Sequence, residues 1–575
     1  VSGCTIPSST MGSNGRSGII RIARARANKR PNRRAIMTGL AAMLSASTRR
    51  QRLVASSFTA VSRRRHRPLA TSCTITCPAL PDQSTHQEDL SLLPYFERLG
   101  NPRTVLAPMV SQSDLPFRLL CHKYGAQLSY TQMIHATNYM KSNEFRSNHL
   151  DVYPRSSFEI DVSVLSGAQM NALDGMSRKF GPGGFERYRA DVLAERGGDG
   201  GGDVNENDPS LINPIRPVCY PDEGPVVVQL AGHDPTVVAD AALDIVDRTD
   251  GNVAGIDLNC GCPQAIARKG RYGAFLMEDD PHLVGDVLSR LRQTLPHNVG
   301  VSAKIRLPID ETMLQDRIQR LVESGVDLIT VHGRNLKENK TKVREANWDA
   351  IALATRIARE HSGNEDFPVV ANGGIEYGSD VDKCLQHTGA SAVMSSESLL
   401  ENPALFATSG LYAQDDVDMT PEQLFHRQID LAEEYLDLAT IYPPVPGSLG
   451  KMGGSFNVVR SHVFKILYRY LEEHHDLRNK LADGATLCIP DVREILVELR
   501  GRYGQFTGSE WTECKSSKVG SSWYRRHRDA AQRVHRRGGE GANSVGSLDG
   551  TASVEDKKRI MKERIRKLKE QRERK

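Results

Sequence analysis

Two cysteines, Cys260 and Cys262, stand two residues apart after the apolar run AGIDLNCG and ahead of a glycine-rich basic stretch. Such a pair could form a disulfide, bind a metal ion or present a reactive thiol. Ten cysteines in 575 residues are too sparse for a disulfide-stapled secreted protein. A structural zinc site would need a second ligand pair at finger-like spacing, and no such pair is present. We therefore favour a thiol that does chemistry, with metal binding as the weaker alternative.

The two-residue period of a β-strand assigns different roles to the two thiols. If Asp257 and Asn259 point into the centre of a barrel, Cys260 points outward and is a small core residue. Cys262 then falls beyond the strand, on a loop that Pro263 stiffens. We predict that Cys262 is the chemical cysteine.

The elements that must position these residues follow a regular alternation. Eight short apolar runs, separated mostly by segments of helical period, lie between Val105 and Glu397: TVLAPM, LSYTQM, PVVVQLAG, AGIDLNCG, VSAKIRL, DLITVHGR, PVVANGGI and SAVMSSE. This alternation predicts a (β/α)8 TIM barrel, whose chemistry lies at the carboxyl ends of the strands. Polar residues close these runs, and we interpret them as site residues: Gln229, Asp257, Asn259, Lys304, Arg306, His332, Arg334 and Asn372.

Charge divides the chain into three parts. Residues 1–81 hold 15 basic and no acidic residues, residues 82–514 carry a net charge of −21, and residues 515–575 hold 19 basic and 8 acidic residues. Basic ends suggest contact with a polyanion such as nucleic acid, although solvated, disordered tails would have the same composition. No run approaches the roughly 18 apolar residues of a membrane span, so we expect no membrane association.

We predict four domains or segments. Residues 1–85 form a disordered or transit-peptide-like basic segment, because the stretch from Met43 is rich in Arg and Ser and free of acid. This leaves cytoplasm, nucleus, mitochondrion or plastid open, as well as translated upstream sequence. The next segment is a barrel over 95–410, with an insertion at 155–224. After it come a smaller all-α domain over 420–510 and a basic tail over 515–575.

Six motifs occur in order along the predicted barrel: LAPMVSQSDLPFRLLCHKYGAQLSYTQMIHA, DLNCGCPQ, AKIRL, TVHGR, ANGGI and MSSESLLENPALF. Over roughly residues 95–505 the chain resembles the tRNA-dihydrouridine synthases, in particular the eukaryotic type acting at D-loop positions 16 and 17. The resemblance implies an FMN-binding barrel, NADPH or NADH as electron donor, no metal, and reduction of the uracil C5–C6 bond in tRNA. It also implies that the helical domain holds the tRNA. We expect a monomer.

The same resemblance assigns roles to individual residues. It implies that Cys262 donates the proton to C5 and that Asn259, Arg306 and Arg334 contact the substrate. Lys304 would stabilise negative charge on the reduced flavin. The residues implied at the cofactor are Ala107, Pro108, Met109, Gln229, Lys304, His332, Asn372, Gly373, Gly374, Ser396 and Glu397.

The chain departs from the family pattern at two places, and two alternative functions stay open. Ser396 and Glu397 replace the Gly-Arg pair usual in the wider family, so we expect the phosphate to depend on backbone N–H groups and a helix N-terminus. The segment from Pro154 to Gly224 is longer than usual, and we expect a surface insertion without catalytic role. The alternative functions are an FMN barrel oxidoreductase acting on a small molecule and a non-catalytic RNA-binding protein.

Overall fold

The computed structural model describes residues 93–154, 179, 187–189, 191–192, 223–338, 343–445, 447, 456–483, 488–514 and 524. Within these residues, one parallel sheet contains β1 (Thr104–Leu106), β2 (Leu128–Tyr130), β3 (Ile134–His135), β4 (Val226–Ala231), β5 (Gly255–Cys260), β6 (Gly300–Leu307), β7 (Leu328–Asn335), β8 (Val369–Asn372) and β9 (Ala392–Ser395). Strand β2 pairs with both β1 and β4, which closes an eight-stranded barrel. The short β3 continues along β4 beyond β2. The predicted (β/α)8 barrel is confirmed, and β3 is the one described strand that the sequence did not predict.

Helices surround the barrel and follow it. They are α1 (Tyr95–Arg98), α2 (Leu115–Lys123), α3 (Ala136–Lys141), α4 (Asn143–His149), α5 (Pro235–Arg248), α6 (Ala265–Lys269), α7 (Ala274–Asp279), α8 (Pro281–Thr294), α9 (Leu314–Glu323), α10 (Trp348–Ser362), α11 (Asp380–Thr388), α12 (Glu397–Glu401), α13 (Pro421–Ile441), α14 (Phe456–Ile466), α15 (Tyr468–Leu471), α16 (His475–Ala482), α17 (Ile489–Tyr503) and α18 (Ser509–Glu513). No helix in the described part of the chain has both the length and the apolar character needed to cross a bilayer.

Capping residues set where several helices begin. The Asp234 carboxylate accepts hydrogen bonds from the N–H groups of Thr236 and Val237 at the start of α5, and Pro235 occupies the first helical position. Helix α13 begins with a capping box, in which the side chains of Thr420 and Gln423 satisfy each other's backbone N–H groups. The apolar faces of these helices join one core that lies outside the barrel wall.

A tyrosine seals the amino-terminal end of the barrel. Tyr95 lies where side chains at Gly255 and Gly300 would stand: its hydroxyl oxygen is 2.5 Å from the ideal Cβ position of Gly255, and its ring is 2.2 Å from that of Gly300. Tyr95 is 7% exposed and joins the inner barrel core with Val105 and Ala107. Tyr95 therefore closes the barrel interior at this end.

The predicted all-α region is present, and we call α13–α17 the helical region. A buried polar cluster joins it to the loop after β1: Asp114 accepts hydrogen bonds from Tyr435 at 3.1 Å and pairs with Nε2 of His462 at 2.6 Å. The ring of Phe117 stacks on His462 with centroids 4.3 Å apart. The exact domain limits remain a prediction.

A single arginine holds both ends of the insertion. Arg118 of α2 donates to Asp151, just before the insertion, at 2.9 Å, and to Glu223, at its end, at 2.6 Å. All three side chains are at most 2% exposed. The insertion also touches the helical region, since Tyr188 accepts a hydrogen bond from Arg493 of α17. Its acidic glycine-rich stretch lies outside the described residues, as do both basic tails apart from residue 524.

Candidate active site

A chain of hydrogen bonds crosses the interior of the barrel from β4 to β6. Asp257 is fully buried and accepts from Gln229 at 2.8 Å and from Ser302 at 2.7 Å. The Gln229 carbonyl oxygen accepts from the Asn259 amide at 2.7 Å. Burial raises the pKa of Asp257 to about 6, although these donors and Lys304 oppose the shift. The side chains of Asp257 and Asn259 thus point into the barrel, which was the condition for the roles assigned to the two cysteines.

Asn259 in turn shapes the loop that carries Cys262. Its side-chain oxygen accepts from the backbone N–H groups of Gly261 at 3.2 Å and Cys262 at 3.0 Å. Arg306 donates to the Gly261 carbonyl at 2.8 Å from the next strand. Three strands thus fix this loop, and the Asn259 amide is engaged by protein at both of its ends.

The two cysteines lie in different environments, as the strand period predicts. Cys260 is 1% exposed and belongs to the core between the sheet and the helices. Cys262 is only partly buried and lies near Tyr272. Burial raises the pKa of Cys262, while the backbone N–H of Gln264 and the charge of Arg306 partly oppose this. The Cys262 thiol is therefore protonated at neutral pH and able to give up a proton.

Two basic side chains of the barrel are held away from full charge. Burial, followed by the charge of Arg306, lowers the pKa of Lys304 to about 7, and Asp257 opposes the shift. Lys304 donates to the Asn372 side-chain oxygen at 2.7 Å. Burial and the neighbouring cations lower the pKa of His332 well below its usual value, so the imidazole is neutral at pH 7. An anion bound beside Lys304 would raise its pKa and favour the charged ammonium.

A cavity of about 470 Å³ opens beside these residues, and we call it the mouth cavity. Burial and Arg334 lower the pKa of Arg306 in its wall to about 10. Gly373 and Gly374 follow β8 with φ of 101° and 85°, a conformation that favours glycine. A Cβ on Gly374 would lie 2.8 Å from the Trp348 indole nitrogen. The backbone therefore turns closely around this side of the cavity.

The mouth cavity brings together part of the predicted site. Its wall contains two residues predicted at the substrate, Arg306 and Arg334, together with six predicted at the cofactor: His332, Asn372, Gly373, Gly374, Ser396 and Glu397. Seven predicted residues lie outside its wall, at or near the carboxyl ends of their strands: Ala107, Pro108, Met109, Gln229, Asn259, Cys262 and Lys304. The guanidinium groups of Arg306 and Arg334 thus lie in the cavity wall. We had expected anion binding there to depend on backbone N–H groups.

Sequence reasoning missed several residues of this wall and its support, of which three bear on the site. Glu338 and Tyr524 line the cavity, and Trp348 donates its indole N–H to the Gly373 carbonyl at 3.1 Å. Glu338 follows β7 by three residues, so its position beyond a strand end was a usable signal. Tyr524 lies far in sequence from any barrel strand, and no signal in the sequence marked it as a site residue. Among the described residues, no cluster of three His, Cys, Asp or Glu side chains could hold a metal ion.

Comparison with known proteins gives a consistent set of relatives. The family model described as dihydrouridine synthase (Dus) matches residues 105–164 and 216–487. A protein of Schizosaccharomyces pombe named tRNA-dihydrouridine(16/17) synthase, NAD(P)(+), is 29% identical over 392 residues, which cover 68% of this chain and 76% of that protein. Its namesake in Saccharomyces cerevisiae is 30% identical over 391 residues, 67% and 70% of the two chains. A protein of Rattus norvegicus named as tRNA-dihydrouridine(16/17) synthase-like is 32% identical over 394 residues, 68% and 65% of the two chains.

Proposed function

Because the chain belongs to the dihydrouridine synthase family, we propose that it is an NAD(P)H-dependent oxidoreductase that converts uridines 16 and 17 of the tRNA D-loop to dihydrouridine. One observation carries the proposal: the loop of the protonated Cys262 is tied through Arg306 to a cavity at the open end of the barrel, whose wall holds Arg306 and Arg334. Reduction of an isolated uracil double bond requires a hydride on one carbon and a proton on the other. In this proposal a bound flavin supplies the hydride and Cys262 supplies the proton.

The mouth cavity fits a phosphate-bearing flavin, and we infer that FMN is the cofactor. Its volume of about 470 Å³ lies within the ~300–1,000 Å³ usual for such pockets. Gly373 and Gly374 let backbone approach an anion closely, and Arg306 and Arg334 supply positive charge. When bound, the flavin supplies the hydride. His332, Asn372, Ser396 and Glu397 of the cavity wall would also hold it. Ala107, Pro108, Met109 and Gln229, which lie outside that wall, would contact the part of the flavin that extends beyond the cavity.

Lys304 contributes electrostatic stabilisation in this proposal. Its ammonium would favour the negative charge that a reduced flavin carries. With its pKa lowered to about 7, Lys304 binds a proton more strongly once an anion lies beside it. Its hydrogen bond to Asn372 fixes the direction of the ammonium group. The lysine is therefore placed to respond to the charge of the cofactor.

Cys262 is the proton donor of the proposed reaction. Its Sγ–H bond breaks and the proton goes to C5 of the uracil, which leaves a thiolate. The N–H of Gln264 and the charge of Arg306 favour this thiolate, and solvent then returns the proton. Asn259, which is held by Gln229 and holds the Cys262 loop, links the position of the thiol to the barrel interior. We propose that Asn259 also contacts the base in the bound state.

The test combines flavin absorbance with mapping of dihydrouridine. Purified full-length protein should be yellow and, with NADPH, should form dihydrouridine at positions 16 and 17 of tRNA from cells that lack the enzyme. Cys262→Ala should keep its flavin and its reduction by NADPH but lose about 10²–10⁴-fold in turnover, the usual contribution of a positioned acid. Cys260→Ala, the matched control in the core, should stay active.

Each contrary outcome identifies a different alternative. A yellow protein that leaves tRNA unchanged would favour a barrel oxidoreductase acting on a small molecule. A colourless protein that binds tRNA would favour a non-catalytic RNA-binding protein. If Cys260→Ala abolished turnover and Cys262→Ala did not, the roles of the two thiols would have to be exchanged.

A further inference from the structure

Tyr524 is a part of the mouth cavity that comes from the distant C-terminal segment. It follows the last barrel strand by more than a hundred residues and lies beyond residue 487, where the family match ends. Its side chain is partly buried and lines the cavity, in hydrogen-bond contact with Arg334 and Ser398. A segment whose composition predicts a solvated tail thus places an aromatic residue in the proposed cofactor site.

A buried ionic network anchors this tyrosine. The backbone N–H of Tyr524 donates to one carboxylate oxygen of Glu401 at 3.1 Å. The other oxygen of Glu401, which is 5% exposed, accepts from Arg469 of the helical region at 3.2 Å. Arg469 also donates to Asp416 at 2.7 Å. The position of Tyr524 is therefore fixed by the end of α12 and by the helical region together.

Tyr524 forms a wall of the cavity and does not fill it. With the phenol in place, about 470 Å³ remains, enough for a cofactor of flavin size. Burial raises the pKa of Tyr524, so the phenol is neutral at physiological pH. A neutral phenol adds no negative charge to a wall in which Arg306 and Arg334 lie with Glu338 and Glu397.

The neighbours of Tyr524 identify which part of a cofactor it would meet. It lies against the residues that follow β9, and the glycines that follow β8 line the same cavity. In TIM barrels, phosphate groups are frequently bound by the loops after the last two strands. We propose that Tyr524 lines the phosphate end of the cofactor cavity and contributes to how tightly FMN is held. This inference rests on the proposed function.

The experiment compares FMN with riboflavin, which lacks the phosphate. Flavin-stripped full-length protein and the variants Tyr524→Ala and Tyr524→Phe would be titrated with each flavin, with fluorescence quenching as the readout. We expect the FMN dissociation constant to rise about tenfold in Tyr524→Ala and about threefold in Tyr524→Phe, the effect of losing one packed, hydrogen-bonded contact. Riboflavin binding should change less than about twofold, because the lost contact is at the phosphate.

The control is Tyr412→Phe, which changes a hydrogen-bonded tyrosine outside the mouth cavity, and it should leave both titrations unchanged. Unchanged or tighter FMN binding in the Tyr524 variants would overturn the inference, as would equal weakening of FMN and riboflavin. If wild-type protein failed to bind FMN, the proposed cofactor and this inference would both fall. If wild-type bound FMN and the variants matched it, only the role of Tyr524 would fall.

Discussion

Replacement of Arg118 by methionine should destabilise the protein strongly at neutral pH. The Arg118 side chain is 0% exposed and donates to Asp151, Glu223 and the Ser113 carbonyl. Methionine keeps much of the apolar stem but leaves two carboxylates, each 2% exposed, without their cation. Breaking a buried ion pair from one side costs about 3–5 kcal/mol, a large share of a typical ~5–15 kcal/mol folding free energy. Urea unfolding followed by circular dichroism would measure the loss at pH 7.

The same variant should show a distinct dependence on pH. Burial already raises the pKa of Asp151 in the wild type, and the charge of Arg118 opposes that shift. Without Arg118 the folded-state pKa rises further above the unfolded value of about 4. A group with a raised folded-state pKa loses its contribution to stability as the pH rises through that pKa. The deficit of Arg118→Met should therefore be smallest near pH 4 and largest at pH 7.

A matched control separates burial from charge. Arg103→Met removes the pair between Arg103 and Asp382, whose side chains are 60% and 70% exposed, and should cost less than about 1 kcal/mol. The reasoning would be refuted if Arg118→Met unfolded within about 1 kcal/mol of the wild type at pH 7. A deficit that stayed constant between acidic and neutral pH would refute the electrostatic part alone.

Two further predictions concern the segments outside the barrel. Removal of residues 553–575, which lie outside the described part of the chain, should weaken tRNA binding and flatten its salt dependence, because each phosphate contact contributes about −0.7 to −0.9 to the log–log slope; an unchanged slope would assign this segment to targeting or solvation. A short Gly/Ser link in place of residues 156–216 should leave FMN content unchanged, because none of the described insertion residues lines the mouth cavity. It should lower the free energy of unfolding by about 2 kcal/mol, because the buried Val192 is lost; loss of flavin would show that the insertion supports the cavity.

The barrel could be predicted from the sequence because apolar residues recur with a different period in its strands than in its helices. All eight apolar runs became strands, whereas the two residues of β3 were too few to show a period. The period also placed Asp257 inward and Cys260 outward. It could not say that Gln229 would be the partner of Asp257, since that depends on the stagger between β4 and β5. Register across a barrel is set by closure of the whole sheet, which no local pattern encodes.

The contacts that escaped sequence reasoning join residues far apart in the chain. Arg118 and Glu223 are separated by 105 positions, and Tyr524 and Glu401 by 123. Arginines are common on helix surfaces, so nothing local distinguished Arg118 from a solvated side chain. A tyrosine within a basic segment is likewise typical of a tail. Such residues acquire their roles from tertiary packing, and the structure alone reveals them.

The cluster of Asp114, Tyr435 and His462 can form only late in translation, because its members lie far apart in the chain. His462 follows Asp114 by 348 residues, so a ribosome adding ~5–20 residues per second makes it roughly 20–70 s later. During that interval the loop after β1 has a carboxylate without its imidazole and a Phe117 ring without its stacking partner. The packing around Asp114 and Phe117 is therefore completed only after the helical region has been synthesised.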